Sequence, residues 1–97
     1  MIVVRNVFRC KPGKAKELVK KLKETIPVMR KEGGGNGRVM TDVSSTFWTV
    51  VFENDVESLE AWEKMFEKFG AQPEMRKAME GYMDLVEGGH REIFRVE

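Results

Sequence analysis

The sequence predicts an α+β domain of order β-α-β-β-α-β, a four-stranded antiparallel sheet with its helices on one face. Three observations predict it. Runs near residues 2–10, 38–43, 46–53 and 91–96 are rich in β-branched and aromatic residues, and the first of them alternates cleanly. The stretches after the first and third runs space their apolar residues as helices do. The second helical stretch is broken in two by Gly70 and Pro73.

Taken in order, residues 2–10 put Ile2, Val4, Asn6, Phe8 and Cys10 on one face and Val3, Arg5, Val7 and Arg9 on the other. Lys11-Pro12-Gly13 turns the chain. A helix follows with Ala15, Leu18, Val19, Leu22 and Ile26 inward and most lysines outward. Pro27 cannot donate to the helical ladder, so residues 28–32 are expected as a bent or separate turn. Gly33-Gly34-Gly35-Asn36-Gly37 reads as a flexible connection. It lacks the Gly-Lys-Ser/Thr ending of a phosphate-binding loop and precedes a strand.

Strands at 38–43 and 46–53 are expected to form a hairpin through a tight Ser44-Ser45 turn, with Phe47-Trp48-Thr49-Val50-Val51-Phe52 central and doubly covered. Asn54 or Asp55 is the expected cap of the next helix, whose stripe is Leu59, Trp62, Met65, Phe66 and Phe69. After Gly70, Pro73 opens another helix with Met75, Ala78, Met79, Tyr82, Met83 and Val86 inward, and Gly88-Gly89 ends it. The last strand is expected from Arg91 to Val96. Its parity is open: Phe94 and Val96 argue for one face, Ile93 for the other.

With helices on one face only, the other face carries Val3, Val7, Phe47 and Val51 beside Arg5, Arg9, Thr49 and Glu53. That is too apolar for an open surface, so a second copy of the chain is the expected cover, giving a homodimeric barrel. The arginines are expected to pair with Glu53, or with Glu92 if the last strand turns it to that side. The length fits one domain over residues 1–97, and a chain this short gains from burial by association.

Composition narrows the partners. Charged residues are 34% of the chain but the net charge is only +1, which argues against nucleic acid as a partner. The lysines between residues 11 and 23 are interrupted by Glu17 and read as a solvated helix face. No apolar stretch approaches a membrane span, and the opening residues form no signal peptide. With Cys10 as the single cysteine, a cytoplasmic setting is expected.

The Lys11-Pro12-Gly13-Lys14 turn after the first strand, the segment Thr46-Phe47-Trp48-Thr49-Val50-Val51-Phe52 and the helix start Ser58-Leu59-Glu60-Ala61-Trp62 resemble the dimeric α/β-barrel proteins of ferredoxin-like fold. Within them the chain is most similar to the antibiotic-biosynthesis-monooxygenase-like and NIPSNAP-like domains. The resemblance covers essentially the whole chain. It implies a fold more than an activity, since members include cofactor-independent monooxygenases of aromatic substrates, heme-degrading enzymes, small isomerases and proteins of no known activity. Heme-degrading members carry an asparagine seven residues before the turn glycine, the position of Asn6 relative to Gly13. They also use a histidine on the second helical section. This chain has none between residues 66 and 85, where Met75 takes the place, so no heme and no other cofactor is expected.

Two residues are candidates for chemistry. Asn6 lies on the drier face, where an amide either anchors a substrate oxygen or anion or is satisfied by its neighbours. His90, the only histidine, is either a general base near neutral pH or an exposed residue beside two glycines. Trp48, Trp62, Phe66, Met79 and Tyr82 are expected to wall a substrate pocket between sheet and helices, although such residues also serve as plain core. Asp42, Glu53 and Glu92 are scattered and offer no metal site. Two readings stand: a cofactor-independent monooxygenase acting on a small apolar or aromatic substrate, or a non-catalytic binding or dimerisation module.

Overall fold

The computed structural model describes residues 1–31 and 36–97. Most of the expected glycine-rich connection, residues 33–35, lies outside the described residues, as does Glu32 at the end of the predicted helix tail. The strands are β1 (Ile2–Cys10), β2 (Gly37–Thr41), β3 (Thr49–Val56) and β4 (Val86–Arg95). The helices are α1 (Ala15–Lys31), α2 (Leu59–Gly70) and α3 (Pro73–Ala78), with a 3₁₀ turn at Tyr82–Leu85. The sheet order is β2-β3-β1-β4 with every neighbouring pair antiparallel, the ferredoxin-like arrangement.

Register fixes which residues share a face. β1 and β3 pair Val4 with Asn54, Asn6 with Phe52 and Phe8 with Val50, while β4 sets Ile93 opposite Val4 and Arg91 opposite Asn6. All of these side chains therefore share the helix-facing side. There Val4, Cys10, Val50 and Phe52 are buried, and Cys10, Val50 and Phe52 pack with Leu18, Leu22 and Met29 of α1, Phe69 of α2 and Leu85. Leu18 is fully buried, which is worth about 2–3 kcal/mol of transfer free energy. The Lys11–Lys14 turn closes with the Lys14 amide donating to the Lys11 carbonyl at 3.0 Å and Gly13 at φ 79°, the left-handed value a type II turn requires at its third position.

Several expectations are corrected. The helix α1 runs through Pro27 to Lys31 without splitting. β3 begins at Thr49, not at 46, so Phe47 and Trp48 fall in a turn and Phe47 is 82% exposed instead of facing the open side of the sheet. The cause is a longer connection than a tight Ser44-Ser45 turn. The Thr49 amide donates to Asp42 Oδ1 at 3.0 Å and the Thr49 hydroxyl to the Thr46 carbonyl at 2.6 Å, and Trp48 takes a left-handed φ of 62°. Neither Asn54 nor Asp55 caps α2, because both belong to β3. Ser58 is the cap, its hydroxyl accepting from the Ala61 amide at 3.1 Å.

Gly88 and Gly89 end no helix either; they lie inside β4. At Gly89 a β-carbon would collide with the Val7 carbonyl oxygen, so a strand can pass β1 here only without a side chain. The parity of β4 is also settled. His90, Glu92 and Phe94 point to the face without helices, together with Arg5, Val7, Arg38, Met40, Val51 and Glu53.

That open face carries a chain of alternating charge across all four strands. Arg38 Nε on β2 donates to Glu53 Oε2 on β3 at 2.6 Å, and Arg5 Nη2 on β1 donates to Glu53 Oε1 at 2.7 Å. Arg5 Nη1 also reaches Glu92 Oε1 on β4 at 3.4 Å, and Glu92 Oε2 lies 3.1 Å from His90 Nε2. Both pairings expected for the arginines of this face, with Glu53 and with Glu92, are thus made at Arg5. Its guanidinium also lies 5.3 Å from the Phe94 ring centroid.

Candidate functional site

Helix α2 does not close onto the sheet. On the helix-facing side of the sheet Gly89 of β4 supplies no side chain and Asn6 and Arg91 supply polar ones, while of the apolar stripe of α2 Met65 and Phe69 pack on the core. Phe69 is buried, whereas Phe66 stays 55% exposed. The space left is a cleft of about 710 Å³ between β1, β3, β4 and the helices. That volume falls in the range of small-molecule sites.

Its interior is apolar, formed by Leu22, Met29, Phe52, Phe69, Met75 and Met79. Tyr82 joins them, its ring edge-on to Phe8 with centroids 6.5 Å apart. The methionines Met75, Met79 and Met83 all line the cleft, although α3 stops at Ala78 and they do not share one helix.

At the mouth, Arg91 Nε donates to Asn6 Oδ1 at 2.7 Å. The Arg91 guanidinium lies 4.8 Å from the Trp62 ring centroid and 5.6 Å from that of Phe66, and the two rings are 5.4 Å apart. Asn6 therefore presents its carbonyl oxygen to the arginine, and the arginine is held in place from one side by the amide and from the other by the aromatic pair. Deeper in, Asn54 is 4% exposed and borders the cleft, and its Oδ1 has no hydrogen-bond partner among the described residues. Thr25, also buried, satisfies its own hydroxyl on the Leu22 carbonyl at 2.6 Å.

The structure thus gathers five of the seven residues singled out in the sequence: Asn6, Trp62, Phe66, Met79 and Tyr82. Trp48 is not among them, because the turn before β3 carries it away from the cleft. His90 borders the cleft where β1 and β4 pair, yet its ring belongs to the opposite face and turns to Glu92. As a general base for the cleft interior it is misplaced by one residue of strand parity. Cys10 sits in the core, where burial pushes its thiol pKa up and away from nucleophilic use.

Among the cleft residues that sequence reasoning missed are Arg91 and Asn54. A signal for Asn54 existed: Ser58 stands immediately before the apolar run of α2 and is the better cap, which frees Asn54 for the strand. For Arg91 there was none without the register of β4.

No group of three histidine, cysteine, aspartate or glutamate side chains able to hold a metal occurs among the described residues, and no helix among them is long and apolar enough to cross a membrane. No protein-family model and no curated protein matches the chain. Solved structures do. An uncharacterised NIPSNAP domain protein from Burkholderia xenovorans superposes with a TM-score of 0.85 at 19% identity, covering 100% of this chain and 95% of that one. A NIPSNAP family protein from Agrobacterium tumefaciens gives 0.84 at 18% identity, covering 99% and 92%. A candidate antibiotic biosynthesis monooxygenase from Chloroflexus aurantiacus gives 0.76 at 15% identity, covering 99% and 92%. At such identities the likeness carries the fold and not the activity. The chain has the ferredoxin-like α+β fold that NIPSNAP-like and antibiotic-biosynthesis-monooxygenase-like proteins share.

Proposed function

We propose that the chain works as a homodimer in which each subunit takes a small apolar or aromatic molecule into the cleft between sheet and helices and oxygenates it without a cofactor. The observation that carries the reading is the cleft itself: about 710 Å³ of apolar space with one organised polar corner, Asn6 and Arg91, at its mouth. Cofactor-independent oxygenation asks for little protein chemistry. The substrate anion is the reductant and dioxygen the oxidant, so the site must chiefly exclude water and stabilise that anion. Arg91 supplies a positive charge for it, and Asn6 fixes where that charge stands. The antibiotic-biosynthesis-monooxygenase-like neighbour lends support at the level of fold.

A second reading keeps the cleft and drops the chemistry. It is favoured by the orientation of His90, whose ring faces Glu92 and leaves the cleft without an imidazole base. Oxygen uptake in the presence of quinol-type substrates separates the two. The monooxygenase reading expects uptake by the wild-type chain and a loss of roughly ten- to a hundred-fold in Asn6→Ala, the range for removing a group that orients a charge-stabilising donor. Binding without uptake would leave the binding module. Equal rates in wild type and variant would remove Asn6 from the mechanism.

A further inference from the structure

The cleft is lopsided in charge. Its lining includes Arg76 and Arg91 and, among the described residues, no aspartate or glutamate. On the other face of this sheet Arg5 and Arg38 both hold the Glu53 carboxylate. Among the described residues, the contacts of Arg91 are neutral. They are the Asn6 amide oxygen at 2.7 Å and the faces of Trp62 and Phe66. These contacts orient the guanidinium without cancelling its charge.

They also dictate which edge stays available. Asn6 takes the Nε–H and the rings cover a face, which leaves the Nη1–Nη2 edge, the fork that a two-oxygen anion meets with parallel hydrogen bonds. The lining of the cleft is mostly apolar, with Phe69, Met75 and Met79 among it. A neutral hydrocarbon would forgo a charge-assisted hydrogen bond to it, and an organic cation would be repelled by it.

We infer that the cleft selects an apolar organic anion, a carboxylate or equivalent oxyanion on a hydrocarbon body, with its charge on the Nη edge of Arg91 and its body among the methionines and phenylalanines. This rests on the cleft being a ligand site, as proposed above, and adds the chemical class of the ligand. Asn54 supplies a second polar point deeper in. Its Cα lies on the order of 12 Å from that of Arg91, two strand spacings across the sheet and two residues along it.

The test uses the 97-residue chain with Trp48→Phe, so that Trp62, stacked against Arg91, is the one tryptophan left in it to report by fluorescence. Decanoate, decanol and decyltrimethylammonium are titrated at mildly alkaline pH, where the carboxylate is ionised. Decanoate is expected to bind about ten-fold more tightly than decanol, although decanol is the more apolar, and the cation not at all. Arg91→Gln should abolish that preference, bringing decanoate down to the decanol affinity of the same variant, and Arg91→Lys should keep part of it because the point charge remains. High salt should weaken decanoate alone. Decanol binding as tightly as decanoate, or a preference that survives Arg91→Gln, would overturn the anion inference and leave the cleft as a ligand site. Failure of every probe to bind would overturn both.

Discussion

Arg5 Nη2 donates to Glu53 Oε1 at 2.7 Å across β1 and β3, and Glu53 is only 3% exposed although it stands on the face that carries no helix. The carboxylate is also held by Arg38, so its burial is answered on both oxygens. The hydrogen bond from Arg5, assisted by Arg38 and opposed by desolvation, holds the Glu53 carboxyl below its ordinary value of 4.5. The folded chain then releases this proton more readily than the unfolded chain. The stability gained is therefore complete above the unfolded value and is lost as pH falls through the lowered folded one.

Glu53→Gln should accordingly cost about 1.5–3 kcal/mol at about pH 7, the range for charge-assisted bonds, and much less at a pH low enough to protonate the wild-type carboxyl in the folded chain. Urea midpoints of both proteins at the two pH values check this. A penalty that does not shrink on acidification would mean that the carboxylate contributes through shape and not through charge.

The same face predicts the assembly. Val3, Val7, Met40, Val51 and Phe94 lie between the ion pairs, and Val7 is directly opposite Val51 at the centre of the sheet. A second copy presents the same residues, and its alternating charges can interleave with the first. Light scattering should give twice the chain mass for the wild type, and Val51→Lys should give a folded monomer, since one lysine per subunit would be buried against its counterpart. A wild-type chain that remains monomeric at tens of micromolar, by order of magnitude for a stable dimer, would rule the barrel out.

Asn54 predicts a stability gain. Its side chain is buried and its Oδ1 lacks a partner among the described residues, so the native state carries a desolvation cost of about 1–3 kcal/mol. Asn54→Leu, which keeps the branched skeleton without the polar atoms, should raise the urea midpoint by an amount worth about 1 kcal/mol in the absence of ligand. An unchanged or lowered midpoint would show that the amide is satisfied after all, for instance by an ordered water.

Much of the fold was legible because it depends on local periodicity. β1 could be read to the residue: its period of two separated Val4, Asn6, Phe8 and Cys10 from Arg5 and Arg9, and the helices do cover the first set. The α1 stripe and Pro73 at the start of α3 followed equally from side-chain spacing and from the missing proline amide hydrogen. Part of the cleft lining was legible for the same reason, since Trp62 and Phe66 belong to the apolar stripe of α2.

The rest depended on long-range pairing. Phe47 and Trp48 have strong strand preference, yet the Asp42–Thr49 closure bonds them into a turn. Ile93 and Phe94 argue for opposite faces, and only the pairing of Val4 with Ile93 turned Glu92 and His90 away from the helices and Arg91 toward Asn6. By itself, the sequence determined the order of the elements and the two faces of the first strand. Only the tertiary structure decided which charges meet on each face, because a one-residue change of register inverts a strand's faces without altering any local preference.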